Sequence, residues 1–209
     1  MESHFSISPL MEVVLPRVYF GNIAYYSIYS KASTVVFEPH EHFIKQSYRN
    51  RCAIVAANAQ QNLIVPVQRK QKRNAIKQLE IVYAESWQRV HWGAIVSSYK
   101  MSPYFDHYEH IFHPFFNEYK PDTLWELNEK GHQIVKKILN LSRNESTTDS
   151  FQKNYPIDYR DKMKPLDHFQ LSFEHENYQQ VFEDRHGFQK NMSILDLIFN
   201  EGPNSASFL

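Results

Sequence analysis

Apolar residues in this chain fall into short runs divided by polar turns. Val13-Val14-Leu15-Pro16 reads as a short buried strand. Asn22 stands where a helix cap belongs, and residues 22–32 carry Ile23, Tyr26 and Ala32, or Tyr25, Ile28 and Tyr29, on apolar faces. Thr34-Val35-Val36-Phe37 is a second β-branched run. Strand, helix and strand in about 25 residues make a βαβ unit, which predicts neighbouring parallel strands and a right-handed crossover. Residues 51–55 and 62–67 predict a hairpin through Ala57-Asn58-Ala59-Gln60. The alternation in residues 76–83 predicts a further strand.

Helical spacing then takes over. Trp87, Val90, Ala94 and Tyr99 share a face of a helix over residues 85–99. A further element spans 104–116, limited by Pro114. The clearest helix is 123–141, with Thr123 and Glu126 as a capping box and Leu124, Leu127, Ile134, Ile138 and Leu141 as its stripe. Residues 142–165 are polar and read as a long loop or lid. Residues 169–182 are mixed, and a final amphipathic helix covers 193–200 before Gly202-Pro203. The pattern predicts an α/β fold in one domain over residues 1–209. Residues 12–84 form an N-terminal βαβ unit and mixed sheet with flanking helices. The second half is helical (85–141), and residues 166–200 return to the site.

Composition narrows the classes. With 23 Lys and Arg against 23 Asp and Glu, the formal charge is zero, which argues against a nucleic-acid binder held by bulk electrostatics. A lone cysteine, Cys52, excludes a disulfide framework and a Cys-rich zinc site. Five glycines leave little room for glycine-rich phosphate loops. No run approaches the roughly 18 apolar residues of a membrane span, and the first residues lack the basic start of a secretory signal. A free thiol without an export signal fits a cytoplasmic protein. Few glycines with many Asn, Lys, Tyr and Phe suggest an AT-rich bacterial genome.

Several groups of residues carry candidate chemistry. His107, His110 and His113 recur at helical spacing, as a metal-holding pair with Glu109 or as exposed histidines, but lack the zincin pattern. Glu38, His40 and His42 share a face if extended, as a substrate-facing cluster, a metal site or a solvated loop. Tyr48-Arg49-Asn50-Arg51, with the basic run Arg69, Lys70, Lys72 and Arg73, offers guanidinium forks to an anion such as a nucleotide, or else paired surface charge. Cys52, in an apolar run, reads as a buried small hydrophobe rather than a nucleophile. His91, four residues after Trp87, is a general base or a core histidine. Ser193 caps the last helix, whose free N–H groups either receive an anion or are simply capped.

In order along the chain, the motifs resemble the WbqC-like protein family. The stretch from Leu15-Pro16-Arg17-Val18-Tyr19-Phe20-Gly21-Asn22 to Phe37 is similar to its opening strand, Pro-aromatic-Gly segment and helix. Its aromatic-x-Asn-Arg step is similar to Tyr48-Arg49-Asn50-Arg51, and its strand Leu-x-Val-Pro-Val to Leu63-Ile64-Val65-Pro66-Val67. Trp87, His91, Tyr99 and Pro103-Tyr104-Phe105 follow its middle pattern, and Gly187-Phe188 with Asn191-Met192-Ser193 through Asn200 its closing one. The chain lacks the histidine that commonly opens the family, and it has Phe37-Glu38 where relatives often show paired aspartates. A weaker likeness is to the nucleotidyltransferase fold, whose His-x-Gly-His loop would fall on Tyr19-Phe20-Gly21-Asn22, without either histidine.

The resemblance implies a protein of bacterial surface-polysaccharide (O-antigen) gene clusters that transfers an amino acid (glycine) or an acyl group onto an aminosugar. The alternative is a catalytically eroded ligand-binding or scaffold protein of the same family. The expected cleft lies at the sheet's C-terminal edge. Tyr19, Gly21, Asn22, Tyr48, Arg49, Asn50, Arg51, Asn191 and Ser193 would bind a small-molecule or sugar-nucleotide substrate there. His91 or Glu38 would be the base, and Arg49 or Arg51 would hold an anionic donor. The expected partners include neither nucleic acid nor membrane, and a homo-oligomer is allowed. No metal is assigned, and the cofactor is left unknown.

Overall fold

The computed structural model describes residues 11–68 and 74–209. Its first unit is β1 (Glu12–Leu15), α1 (Ile23–Lys31) and β2 (Thr34–Phe37), with β1 and β2 parallel. Then come β3 (Arg51–Ala56) and β4 (Ala59–Ile64), an antiparallel hairpin, and β5 (Val67–Gln68) and β6 (Glu80–Ile81), a minimal second pair. Helices α2 (Trp87–Tyr99), α3 (Phe105–Asn117) and α4 (Leu124–Ile138) follow. The chain ends with β7 (Asn144–Thr147), the short helices α5 (His168–Ser172) and α6 (Glu183–His186), and α7 (Ile194–Glu201). This is an α/β fold.

The main sheet runs β1-β2-β7, all parallel. A fourth stretch lies along the free side of β1: Val14 donates to the Ile157 carbonyl at 2.9 Å and accepts from Tyr159 at 3.0 Å. Asn22 caps α1 by accepting from the Tyr25 N–H. Seven consecutive residues of α1, from Ile23 to Tyr29, are buried, so it is a helix covered on every side rather than an amphipathic one. Aromatic rings fill much of the core. Phe20 meets Phe112, Phe115 and Phe116, and Phe199 meets Tyr99, Phe105 and Phe112.

Four expectations change. Residues 76–83 are not one strand but a 3-10 turn (Ile76–Gln78) followed by two-residue β6, since Ile76, Leu79 and Ile81 turn inward at turn spacing. Residues 142–165 are not all loop, because β7 extends the parallel sheet. The hairpin turns on Ala57-Asn58 alone, and Ala59 takes a left-handed conformation at φ 78°. Helix α3 runs through Pro114 rather than ending there. The basic run over 69–73 lies outside the described residues. Among the described residues, no helix is long and apolar enough to cross a membrane.

Candidate functional site

Parallel strands all present their carboxyl ends at one edge. Here β1 leads into Arg17, β2 into Glu38, β7 into Thr148, and the stretch beside β1 into Arg160. The segment 48–50 crosses the same region: Tyr19 donates its N–H to the Tyr48 carbonyl, and Asn128 Nδ2 donates to the Arg17 and Arg49 carbonyls at 3.3 and 2.7 Å.

Three arginines are buried at this edge. Arg49 forks onto Glu41 and also donates to the Arg160 carbonyl at 3.2 Å. Arg160 forks onto Asp158 and holds the Gln152 and Lys153 carbonyls. Arg17 lies over aromatic rings, its guanidinium carbon 4.1 Å from the Phe37 centroid and 5.1 Å from that of Trp125. Of the three, only Arg49 was singled out in the sequence. The readable signal for Arg17 was a single charge inside the apolar run from Val13 to Phe20.

Glu38 sits in the same edge but is a clamp. Its two oxygens accept from the His40 N–H, the Thr148 hydroxyl, the Gln152 N–H and the Tyr155 hydroxyl. It ties the chain beyond β7 to the end of β2. His40 is half-buried, and exposed His42 stacks on Phe151. Among the described residues, no three His, Cys, Asp or Glu side chains converge as metal ligands, so neither the Glu38-His40-His42 group nor His107, His110 and His113 makes a metal site. The last three lie exposed on α3.

The remaining expected residues converge, but as packed interior. Ser193 donates its hydroxyl to the Phe20 carbonyl at 2.8 Å, Ile194 its N–H to the Gly21 carbonyl, and Ile23 its N–H to the Met192 carbonyl. Asn191 Oδ1 accepts from the Ala24 N–H, and both Asn191 and Asn22 donate to Gln170 Oε1. The first N–H groups of α1 and α7 are therefore taken by the protein itself, and Ser193 is a plain cap. Asn50 holds the Val65 carbonyl. Arg51 is half-buried, with Nε unpartnered.

His91 stands apart in an aromatic box. Its Nδ1 lies 2.9 Å from the Tyr19 hydroxyl, and its ring meets Trp87 at 5.0 Å. Burial pushes its imidazole down to about 4, against the pull of a hydrogen bond to Ile64, so it is neutral at pH 7. No contact joins it to Glu38 among the described residues. Burial also pushes the Cys52 thiol up to about 12, which keeps it protonated and inert.

The molecule is an α/β protein with three buried arginines at the carboxyl edge of its parallel sheet. Residues 18–167 match the WbqC-like protein family, and the chain belongs to it. No curated protein and no solved structure matches the chain, so the weaker likeness to the nucleotidyltransferase fold gains no support.

Proposed function

We propose that this protein is a cytoplasmic transferase of bacterial surface-polysaccharide assembly, passing an aminoacyl (glycyl) or acyl group to an aminosugar. The observation that carries the reading is the convergence of Arg17, Arg49 and Arg160 at the carboxyl edge of the parallel strands, where open α/β sheets hold ligands. In such a transfer the amine nitrogen bonds to the acyl carbon, the donor's leaving group departs with the electron pair, and the amine loses a proton.

A second reading is a ligand-binding protein without turnover. It is favoured by the state of the two expected bases: Glu38 already accepts four hydrogen bonds, and His91 is buried with its Nδ1 2.9 Å from the Tyr19 hydroxyl. Incubation with nucleotide-linked aminosugars and an activated glycyl or acyl donor, followed by mass spectrometry, separates the two. A product heavier by the glycyl or acyl group supports the transferase. Ligand-induced thermal stabilisation without product supports the binding protein, and neither effect removes both readings.

A further inference from the structure

Each of the three arginines at the sheet edge has withdrawn its guanidinium from water, and two of them are repaid in the same way. Arg49 has the Glu41 carboxylate and Arg160 has that of Asp158, each in fork geometry. Arg17 has no such group. It is 6% exposed, and its Nε and Nη1 are buried with no hydrogen-bond partner. Its nearest carboxylate, Glu129, stands 3.7 Å from Nη2, too far for a hydrogen bond, and is 41% exposed at the rim. A buried guanidinium without acceptors is destabilising, and native interiors leave few such groups. Asn128, whose Nδ2 donates to the Arg17 backbone carbonyl, has its Oδ1 unpartnered as well.

The rings fix what Arg17 can do. Phe37 and Trp125 have the guanidinium over their rings, at 4.1 and 5.1 Å from the centroids, and a planar guanidinium donates only in its own plane, through its edges. Nε and Nη2 form one edge of the planar fork, and Nη2 and Nη1 the other. Either edge matches two oxygens of a carboxylate or phosphate.

We infer that Arg17 is the anchor of an oxyanion site, and that the missing partner of its fork is a carboxylate or phosphate oxygen pair of the ligand. Glu129 is the rim group that the anion displaces. The site deepens the proposed function by naming the chemistry of its substrate, and it rests on that reading only for its place at the same edge.

Titration calorimetry on the whole protein tests it with inorganic phosphate and with acetate. Saturable binding is expected for at least one of them: phosphate alone points to a phosphorylated ligand, acetate alone to a carboxylate. Arg17→Lys keeps the charge, loses the fork, and should weaken binding tenfold or more. Glu129→Gln, at an exposed position, removes the competing carboxylate and should tighten binding several-fold. No saturable binding of either anion overturns the site. So does binding that ignores both substitutions. Product formation is scored separately: anion binding that depends on Arg17 without product sinks the transferase and leaves the site standing, and product with Arg17-independent binding does the reverse.

Discussion

Arg49 grips Glu41 through two parallel hydrogen bonds, Nε to Oε1 at 2.9 Å and Nη2 to Oε2 at 2.5 Å, with both side chains withdrawn from solvent. Burial pushes the Glu41 carboxyl up, and Arg49 beside it pulls it back. Removing one member of such a pair leaves the other charged and alone. Arg49→Met is therefore expected to destabilise the fold by about 3–5 kcal/mol, with Arg49→Met/Glu41→Leu recovering most of that loss. Urea denaturation measures both. A single variant as stable as the parent would show that the pair does not hold the sheet edge together.

Acid response divides between two buried groups. Asp196 in α7 accepts from the Tyr178 hydroxyl at 2.5 Å and from Gln180 at 2.8 Å. Burial pushes it from its ordinary 3.8 up to about 6, these hydrogen bonds opposing. The folded state holds that proton where the unfolded chain has lost it, so this stabilisation is full below pH 3.8 and gone above about pH 6. His91 runs the other way: pushed down to about 4, it contributes stability above its ordinary 6.5 that is lost as pH falls through 4. His132, also pushed down by burial, adds to the second slope. Asp196→Asn removes the opposing slope. Its stability should fall more steeply than the parent's between pH 6 and pH 4, by up to about 1.4 kcal/mol per pH unit. Equal slopes in the two proteins, by urea denaturation at several pH values, would discard this assignment.

Two glycines should respond to alanine with opposite signs. A Cβ on Gly21 would lie 2.7 Å from Val18 Cγ2 and 2.8 Å from Tyr25 Cδ1, both on buried side chains. Gly21→Ala should cost roughly 1–3 kcal/mol through overpacking. Gly93, inside α2, has nothing within 4 Å of its Cβ position. Gly93→Ala should add about 0.5–1 kcal/mol, as helix propensity dictates. Thermal melts of the pair decide the matter, and a destabilised Gly93→Ala would contradict the open space beside α2.

The β3–β4 turn holds removable strain. Ala59 sits at φ 78°, where a Cβ is disfavoured, and its N–H donates to His186 Nε2 at 3.0 Å. Ala59→Gly should raise stability by about 1 kcal/mol. The same denaturation assay reads it, and a loss of stability would mean that the alanine methyl contributes packing there.

The βαβ unit was legible because two β-branched runs bracket a helix whose cap, Asn22, has the side chain a cap requires. Strand β7 was not, because Asn144-Glu145-Ser146-Thr147 is polar and exposed at every position. An edge strand made that way has no apolar periodicity to read. Of the candidate site, the sequence named the β1 exit together with two of its separate neighbours: Ser193 bonds the Phe20 carbonyl, and Asn128 bridges the Arg17 and Arg49 carbonyls. What a linear reading misses is which polar residues an interior already satisfies. Glu38 reads as a candidate base and Ser193 as a cap or substrate contact, yet each is also engaged from more than 100 positions away, by the Thr148 hydroxyl and the Phe20 carbonyl. Arg17 stands out in the sequence only within the motif of residues 15–22, and its burial against Phe37 and Trp125 depends on residues 20 and 108 positions away.

The closure of the first turn of α1 ties two remote parts of the sequence into one unit. Ile23 and Ala24 find their acceptors on Met192 and Asn191. Without that distant segment the first two N–H groups of α1 would have no protein acceptor. The amino end of α1 is thus completed by a segment 167 positions further along the chain.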